Sequence, residues 1–199
     1  MTNTVAQPIG RIRLDNVRLA FSQQLVKPGT IPGADANAKP KWNCTLLLGP
    51  EHPQYEQLKK IQIAVAKDKW KDKAQGIYAA LEKKDRLALH DGDGKPSYDG
   101  YPGNFFLSPN ADENKRPTML DGSKNNLDEK AVARVLYSGC YVNASIELWA
   151  QDNQFGQRIN SQLRGIQFLR DGDAFGSGGS ASEDEFETVT DGTDAGDFA

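Results

Sequence analysis

Two histidines, two cysteines and 27 carboxylates are the residues from which this 199-residue chain would have to build a catalytic or metal site. His52 stands between Pro50 and Pro53 ahead of a helical stretch, and His90 closes an apolar segment. Neither belongs to a His-x-x-x-His or Cys-x-x-Cys spacing, so the usual zinc arrangements are out of reach. Cys44 and Cys140 each sit inside an apolar run, as small buried hydrophobes of a reducing compartment do. The run Asp91-Gly92-Asp93-Gly94 resembles the start of a calcium loop, but Lys95 stands where a third ligand belongs and Pro102 where the bidentate Glu belongs. It reads as turn chemistry. GSGGS at 176–180 lacks the lysine and the strand-to-helix context of a phosphate loop and reads as a linker. No catalytic residue, metal or cofactor is expected.

Aromatic rings beside basic residues carry a clearer signal. Lys39, Lys41 and Trp42 form one group. Lys95, Tyr98, Tyr101, Phe105 and Phe106 form a second, with Lys115 and Arg116 following in sequence. Tyr141 and Trp149, followed by Arg158, Arg164 and Arg170, form a third. Rings stack on unpaired bases for roughly 1–3 kcal/mol each while cationic side chains track phosphates, so this mixture fits a groove for a nucleic-acid single strand. The competing reading is burial: Trp42 shares phase with Cys44, Leu46 and Leu48, and Phe105 with Leu107.

Charge is divided along the chain. All 24 Lys and Arg precede position 171, and nine carboxylates lie from Asp171 onward, which leaves the body at +6 and the tail at −9 within a net charge of −3. A basic body with an acidic appendage suggests that the body grips a polyanion and the tail competes for the same groove. Glycine, serine and acidic residues from 171 to 199 cannot bury enough apolar area to offset the entropy of ordering, so this tail is expected to be disordered. Phe186 beside Asp184 and Glu185, and Phe198 beside Asp194 and Asp197, are its candidate anchors for protein partners.

The elements that must position these groups are mostly strands. GRIRLDNVRLAF alternates through Ile12 and Leu14, then resumes at Val17, Leu19 and Phe21 after a one-residue shift that suggests a β-bulge. KWNCTLLL, GNFFLS and RPTML read as strands, and residues 27–40 and 91–103 as loops rich in Gly and Pro. From Pro53, Tyr55, Leu58, Ile61 and Val65 recur at helical spacing, with a second helical piece around residues 77–81. SGCYVNASIELWA alternates strictly, and QRINSQLRGIQFLR supplies its partner. Short strands with one helical insertion predict a mainly β protein, a small Greek-key barrel over residues 1–170 with the tail at 171–199.

With these residues in view, the whole chain resembles the single-stranded DNA-binding proteins of bacteriophages. The resemblance rests on GRIRLDNVRLAF, GNFFLSPNADENKRP, SGCYVNASIELWA and QLRGIQFLR, and on the acidic aromatic tail, although Ala199 follows Phe198 where related tails often end on the aromatic itself. It implies an OB-fold-like barrel and sequence-independent binding of single-stranded DNA without a cofactor. It further implies strand protection in replication, recombination or repair, with replication or recombination proteins docking on the tail, in the cytoplasm of an infected bacterial host. Two rivals stand beside it. A metal-dependent nuclease would need Asp91, Asp93 and Asp99 as a carboxylate cluster, and a protein-interaction module would use the tail for solubility only. No apolar run approaches the roughly 20 residues of a membrane span, so no membrane contact is expected. Oligomeric state stays open, a homodimer through a barrel edge included.

Overall fold

The structure, a computed structural model, describes residues 8–30 and 37–176. Strand β1 (Arg11–Ala20) buries Ile12 and Leu14, then Val17 and Leu19, following the phase shift in the sequence. Its pairing with β8 (Tyr141–Asn153) slips between Leu14 and Val17, where Asn16 takes a left-handed φ of 54°. This is the expected bulge. Backbone groups freed there find partners outside the ladder. Gln54 Oε1 accepts the Asp15 N–H at 2.7 Å, the Gln54 amide donates to the Arg13 carbonyl at 2.7 Å, and Asn143 Oδ1 accepts the Asn16 N–H at 3.0 Å. Past the bend, Arg18, Leu19 and Ala20 pair with β3 (Thr45–Leu48). Phe21, expected to continue the buried phase, lies beyond the strand end with φ 51° and is exposed.

KWNCTLLL forms β2 (Lys41–Asn43) and β3, and the later segment forms β5 (Phe105–Leu107) and β6 (Asn110–Asp112). The register is the same across both breaks: Leu48 faces Phe105, Leu46 faces Leu107, Asn43 faces Asn110 and Lys41 faces Asp112. Cys44 therefore lies opposite Pro109, whose missing N–H interrupts the ladder. The four segments make one continuous antiparallel ribbon. That ribbon closes the sheet: β3 pairs with β1, and β6 runs parallel to β9 (Gly156–Arg170). β9 pairs along its length with β8, which returns to β1. A five-stranded barrel with one parallel contact is the OB arrangement, with the ribbon as its second and third strands. The short β4 (His90–Asp91) extends the sheet past β5, and β7 (Thr118–Leu120) lies parallel to β9.

Leu14, Leu19, Leu46, Leu107, Ile146, Ile159 and Leu163 fill the barrel. Between β3 and β4 the chain leaves as the helical insertion, α2 (Tyr55–Trp70) and α3 (Ala74–Lys83), which adds Leu58, Val65, Trp70 and Leu81 to the same core. Gln62 is buried there, and its Oε1 accepts the N–H groups of Ala88 and Leu89 at 3.0 and 3.1 Å, so its burial leaves the acceptor satisfied. Two short helices, α1 (Gln23–Val26) and α4 (Glu129–Val135), have no counterpart in the sequence reading. Asp128 caps α4 by accepting the Ala131 N–H at 2.8 Å.

Residue 170, the expected boundary, is the last residue of β9. Residues 171–176 pack on the barrel: Arg18 Nη2 donates to the Asp173 carbonyl at 2.8 Å, Tyr137 Oη donates to the Gly172 carbonyl at 3.0 Å, and the Phe175 N–H donates to the Ser138 carbonyl at 2.9 Å. The rest of the acidic tail, 177–199 with Asp184, Glu185, Phe186, Asp194, Asp197 and Phe198, lies outside the described residues. Among the described residues no helix is long and apolar enough to cross a membrane.

Candidate nucleic-acid interface

The ribbon's outer face follows from its register. Trp42, Cys44, Leu46 and Leu48 point into the barrel, which leaves Lys41, Asn43 and Leu47 outside beside Asp112, Asn110 and Phe106. Lys41 Nζ donates to Asn110 Oδ1 at 3.1 Å. Toward β5 the outer face is apolar: Ala20, Leu47, Tyr101 and Phe106 form a second buried cluster, with Phe175 packed against it. Tyr101 and Phe106 are 2% and 5% exposed, so these two rings, expected to meet a strand, serve as packing instead. Tyr101 Oη donates to Thr45 Oγ1 at 3.3 Å, and burial, only partly offset by that bond, raises the phenol's pKa. Trp42 is likewise buried, at 8%. Its indole N–H donates to the Glu113 carbonyl at 2.9 Å, and the Arg116 guanidinium lies 5.8 Å from its ring.

The loop over the cluster is shaped by the aspartates once weighed as metal ligands. Asp91 accepts the Asp93 N–H, Asp93 accepts the Gly103 N–H at 2.7 Å, and Asp99 accepts the Gly176 N–H at 2.8 Å. Among the described residues no three His, Cys, Asp or Glu side chains converge as a metal site would require. Gly92 is obligatory in this loop, since a Cβ there would stand 2.2 Å from the Tyr101 carbonyl oxygen. The loop delivers Tyr98, 45% exposed, edge-on to Phe21, also 45% exposed, with centroids 5.3 Å apart. Lys95 Nζ lies 4.7 Å from the Phe106 ring centre and 5.9 Å from that of Tyr98. Phe21, Tyr98, Gln23, Asp99, Ser138 and Phe175 help line a cavity of about 300 Å³. It pairs exposed rings with a nearby ammonium, the combination that stacks bases and holds phosphate.

The first two sequence groups thus meet on one ribbon and the loop that covers it. Lys39 is exposed at its β2 end, while Lys115 pairs with Asp112 at 3.2 Å and Arg116 donates to the Leu127 carbonyl at 2.9 Å. Phe105 is half-buried against Tyr55 of α2, centroids 4.7 Å apart. The third group lies around the barrel on β8 and β9. Trp149 is 45% exposed opposite Asn160, Arg158 is exposed, and Arg164 Nε stands 3.8 Å from Glu147, which also binds Arg11 at 3.0 Å. Tyr141 is half-buried, with the Arg170 guanidinium 3.4 Å and the Arg18 guanidinium 5.7 Å from its ring centre. Sequence reading missed Phe21, Arg18 and Phe155, the last 75% exposed at the β8–β9 turn. An aromatic in the tight turn Asn153-Gln154-Phe155-Gly156 was the available signal for that one.

The model of the family described as Enterobacter phage Enc34, ssDNA-binding protein, matches residues 10–198. The chain belongs to the Enc34 phage single-stranded DNA-binding protein family. One relative, putative protein p50 of Acyrthosiphon pisum secondary endosymbiont phage 1, is 39% identical over 183 residues, covering 90% of this chain and 94% of that one. The solved single-stranded DNA-binding protein of bacteriophage Enc34, in complex with single-stranded DNA, superposes with a TM-score of 0.64 at 27% identity, over 84% of this chain and 90% of that one. The fold extends further, to gp2.5, a single-stranded DNA-binding protein encoded by bacteriophage T7. That comparison gives a TM-score of 0.56 at 11% identity over 94% of this chain and 98% of that one. Membership of the Enc34 family and the OB barrel agree with the resemblance read from the sequence.

Proposed function

We propose that this chain binds single-stranded DNA without sequence preference, as a non-enzymatic coat protein of phage replication, recombination and repair in the infected bacterial cell. The observation that carries the reading is the exposed pair Phe21 and Tyr98 beside Lys95, next to the ribbon that forms the second and third strands of an OB barrel in the Enc34 family. OB barrels take oligonucleotides on that face and between the flanking loops. Lys41 and Lys39 extend the positive side of the ribbon, and Trp149, Phe155, Arg158 and Arg164 give the β8–β9 hairpin a second patch on the strand's route. The acidic tail, with Phe186 and Phe198, competes for the groove and, once displaced by DNA, offers those rings to replication or recombination proteins.

Location is tested by photocross-linking a bromodeoxyuridine oligomer to the intact protein and mapping the peptides. Cross-links at Phe21, Tyr98 and residues 39–43 are expected, and cross-links confined to α2 and α3 would overturn the assignment. Incubating the complex with magnesium tests the nuclease alternative, and the strand is expected to stay intact.

A further inference from the structure

Six residues beyond the last strand cover part of the surface assigned to DNA. From β9 the chain folds back across the outer face of β1, where the Phe175 ring centre lies 4.3 Å from the Arg18 guanidinium. Arg18 donates through Nη2 to the Asp173 carbonyl and through Nε to the Gly139 carbonyl. Phe175, Arg18, Tyr141 and Arg170 therefore alternate ring, cation, ring, cation, at 4.3, 5.7 and 3.4 Å. A single strand offers the complementary alternation of base faces and phosphates. On one side of this column lies the cavity at Phe21 and Tyr98, and on the other a cavity of about 200 Å³ lined by Asn16, Arg18, His52 and Tyr141. Phe175 lies against Arg18 between them.

Accommodation of the segment is written into glycines on both sides of the contact. A Cβ at Gly139 would stand 2.1 Å from the Asp173 carbonyl oxygen, one at Gly172 would stand 2.4 Å from the Gly139 carbonyl oxygen, and one at Gly100 would stand 2.5 Å from the tip of the Phe175 ring. The segment lies at the surface all the same: Phe175 is half-buried, Asp173 and Gly176 are exposed, and what must be exchanged to open it are hydrogen bonds to Arg18, Tyr137, Ser138 and Asp99 and the contact of Phe175 with Arg18.

We infer that Arg18 and Tyr141 form a nucleotide subsite, and that residues 171–176 are a latch whose Phe175 ring occupies the place of a base until a single strand displaces it. The inference rests on the DNA-binding reading above and adds a site and a gate distinct from the acidic tail. Removing the tail after Gly176 leaves this latch in place, whereas opening the latch removes an aromatic competitor rather than charge.

The test is hydrogen exchange on the full-length protein with and without a thymidine oligomer, followed by affinity measurements on Phe175→Ala and Gly172→Ala. DNA is expected to speed exchange at the Phe175 and Gly176 amides while the barrel amides stay protected. Both variants are expected to bind the oligomer about fivefold more tightly, the equivalent of one lost cation–π contact, with little change in salt dependence. Unchanged or slower exchange at those two amides in a complex that forms would overturn the latch and leave DNA binding standing. Absence of any complex would overturn both.

Discussion

Trp70 donates its indole N–H to Asp152 Oδ2 at 2.8 Å, joining the last residue of α2 to the β8–β9 hairpin 82 positions later. The helical insertion is thereby anchored to the barrel at the end where that hairpin projects Phe155. Hydrogen bonds from Gln157 and then Trp70 hold the Asp152 carboxyl below its ordinary pKa. A carboxyl with a lowered folded-state pKa stabilises the fold above the unfolded value of about 4, and that contribution disappears as pH falls through the folded-state value. Thermal melts from pH 7 down to pH 3 are expected to show a steeper loss for the natural protein than for Asp152→Asn, which keeps an acceptor but cannot titrate. Parallel profiles would contradict the coupling.

Both thiols are buried, and burial raises each pKa, that of Cys140 to about 12. Neither supplies thiolate at neutral pH. Alkylating reagents are therefore expected to leave the native protein unmodified at pH 8 and to label two sites once it is unfolded in denaturant, as read by intact mass.

Packing makes its own prediction. Leu14 is fully buried next to the β1 bulge, and Leu14→Ala is expected to cost about 2–5 kcal/mol in denaturant unfolding, because the closed barrel leaves little room to collapse around the cavity. Ile63→Ala, on the exposed face of α2, is expected to stay within about 0.5 kcal/mol.

Tyr98→Ala and Phe21→Ala are each expected to weaken oligomer binding by roughly 1–3 kcal/mol through lost stacking. Lys41→Ala and Lys95→Ala are expected to weaken binding equally for all sequences and to lower the salt slope by about one each. Binding titrations at several salt concentrations separate the two patterns. Swapped patterns, with rings changing the slope and lysines leaving it intact, would reverse the roles assigned to them.

Much of the barrel was legible because its strands bury one face each. The alternation from Cys140 to Trp149 sets the faces of β8 as observed, with Val142, Ala144, Ile146 and Leu148 inside. The shift between Leu14 and Val17 marks the bulge. Trp42's phase with Leu46 and Leu48 already argued for burial, and the ring is in the core. Tyr101 and Phe106 misled because the outer face of β3 and β5 carries its own apolar cluster, a second layer that period-two reasoning assigns to solvent. α4 escaped notice because seven residues give too few turns for a helical period. Phe175 escaped because DGDAFGSGG has the composition of a disordered tail, while its docking depends on Gly100 and Gly139, tens of residues away.

The most direct test of the account is fluorescence anisotropy with a labelled thymidine oligomer and its duplex counterpart, titrated across salt with the full-length protein and with a chain ending at Gly176. The account predicts salt-sensitive binding to the single strand, far weaker binding to duplex, and a gain at low salt when the acidic tail is removed. Failure of both proteins to bind the oligomer, or equal affinity for duplex, would contradict it.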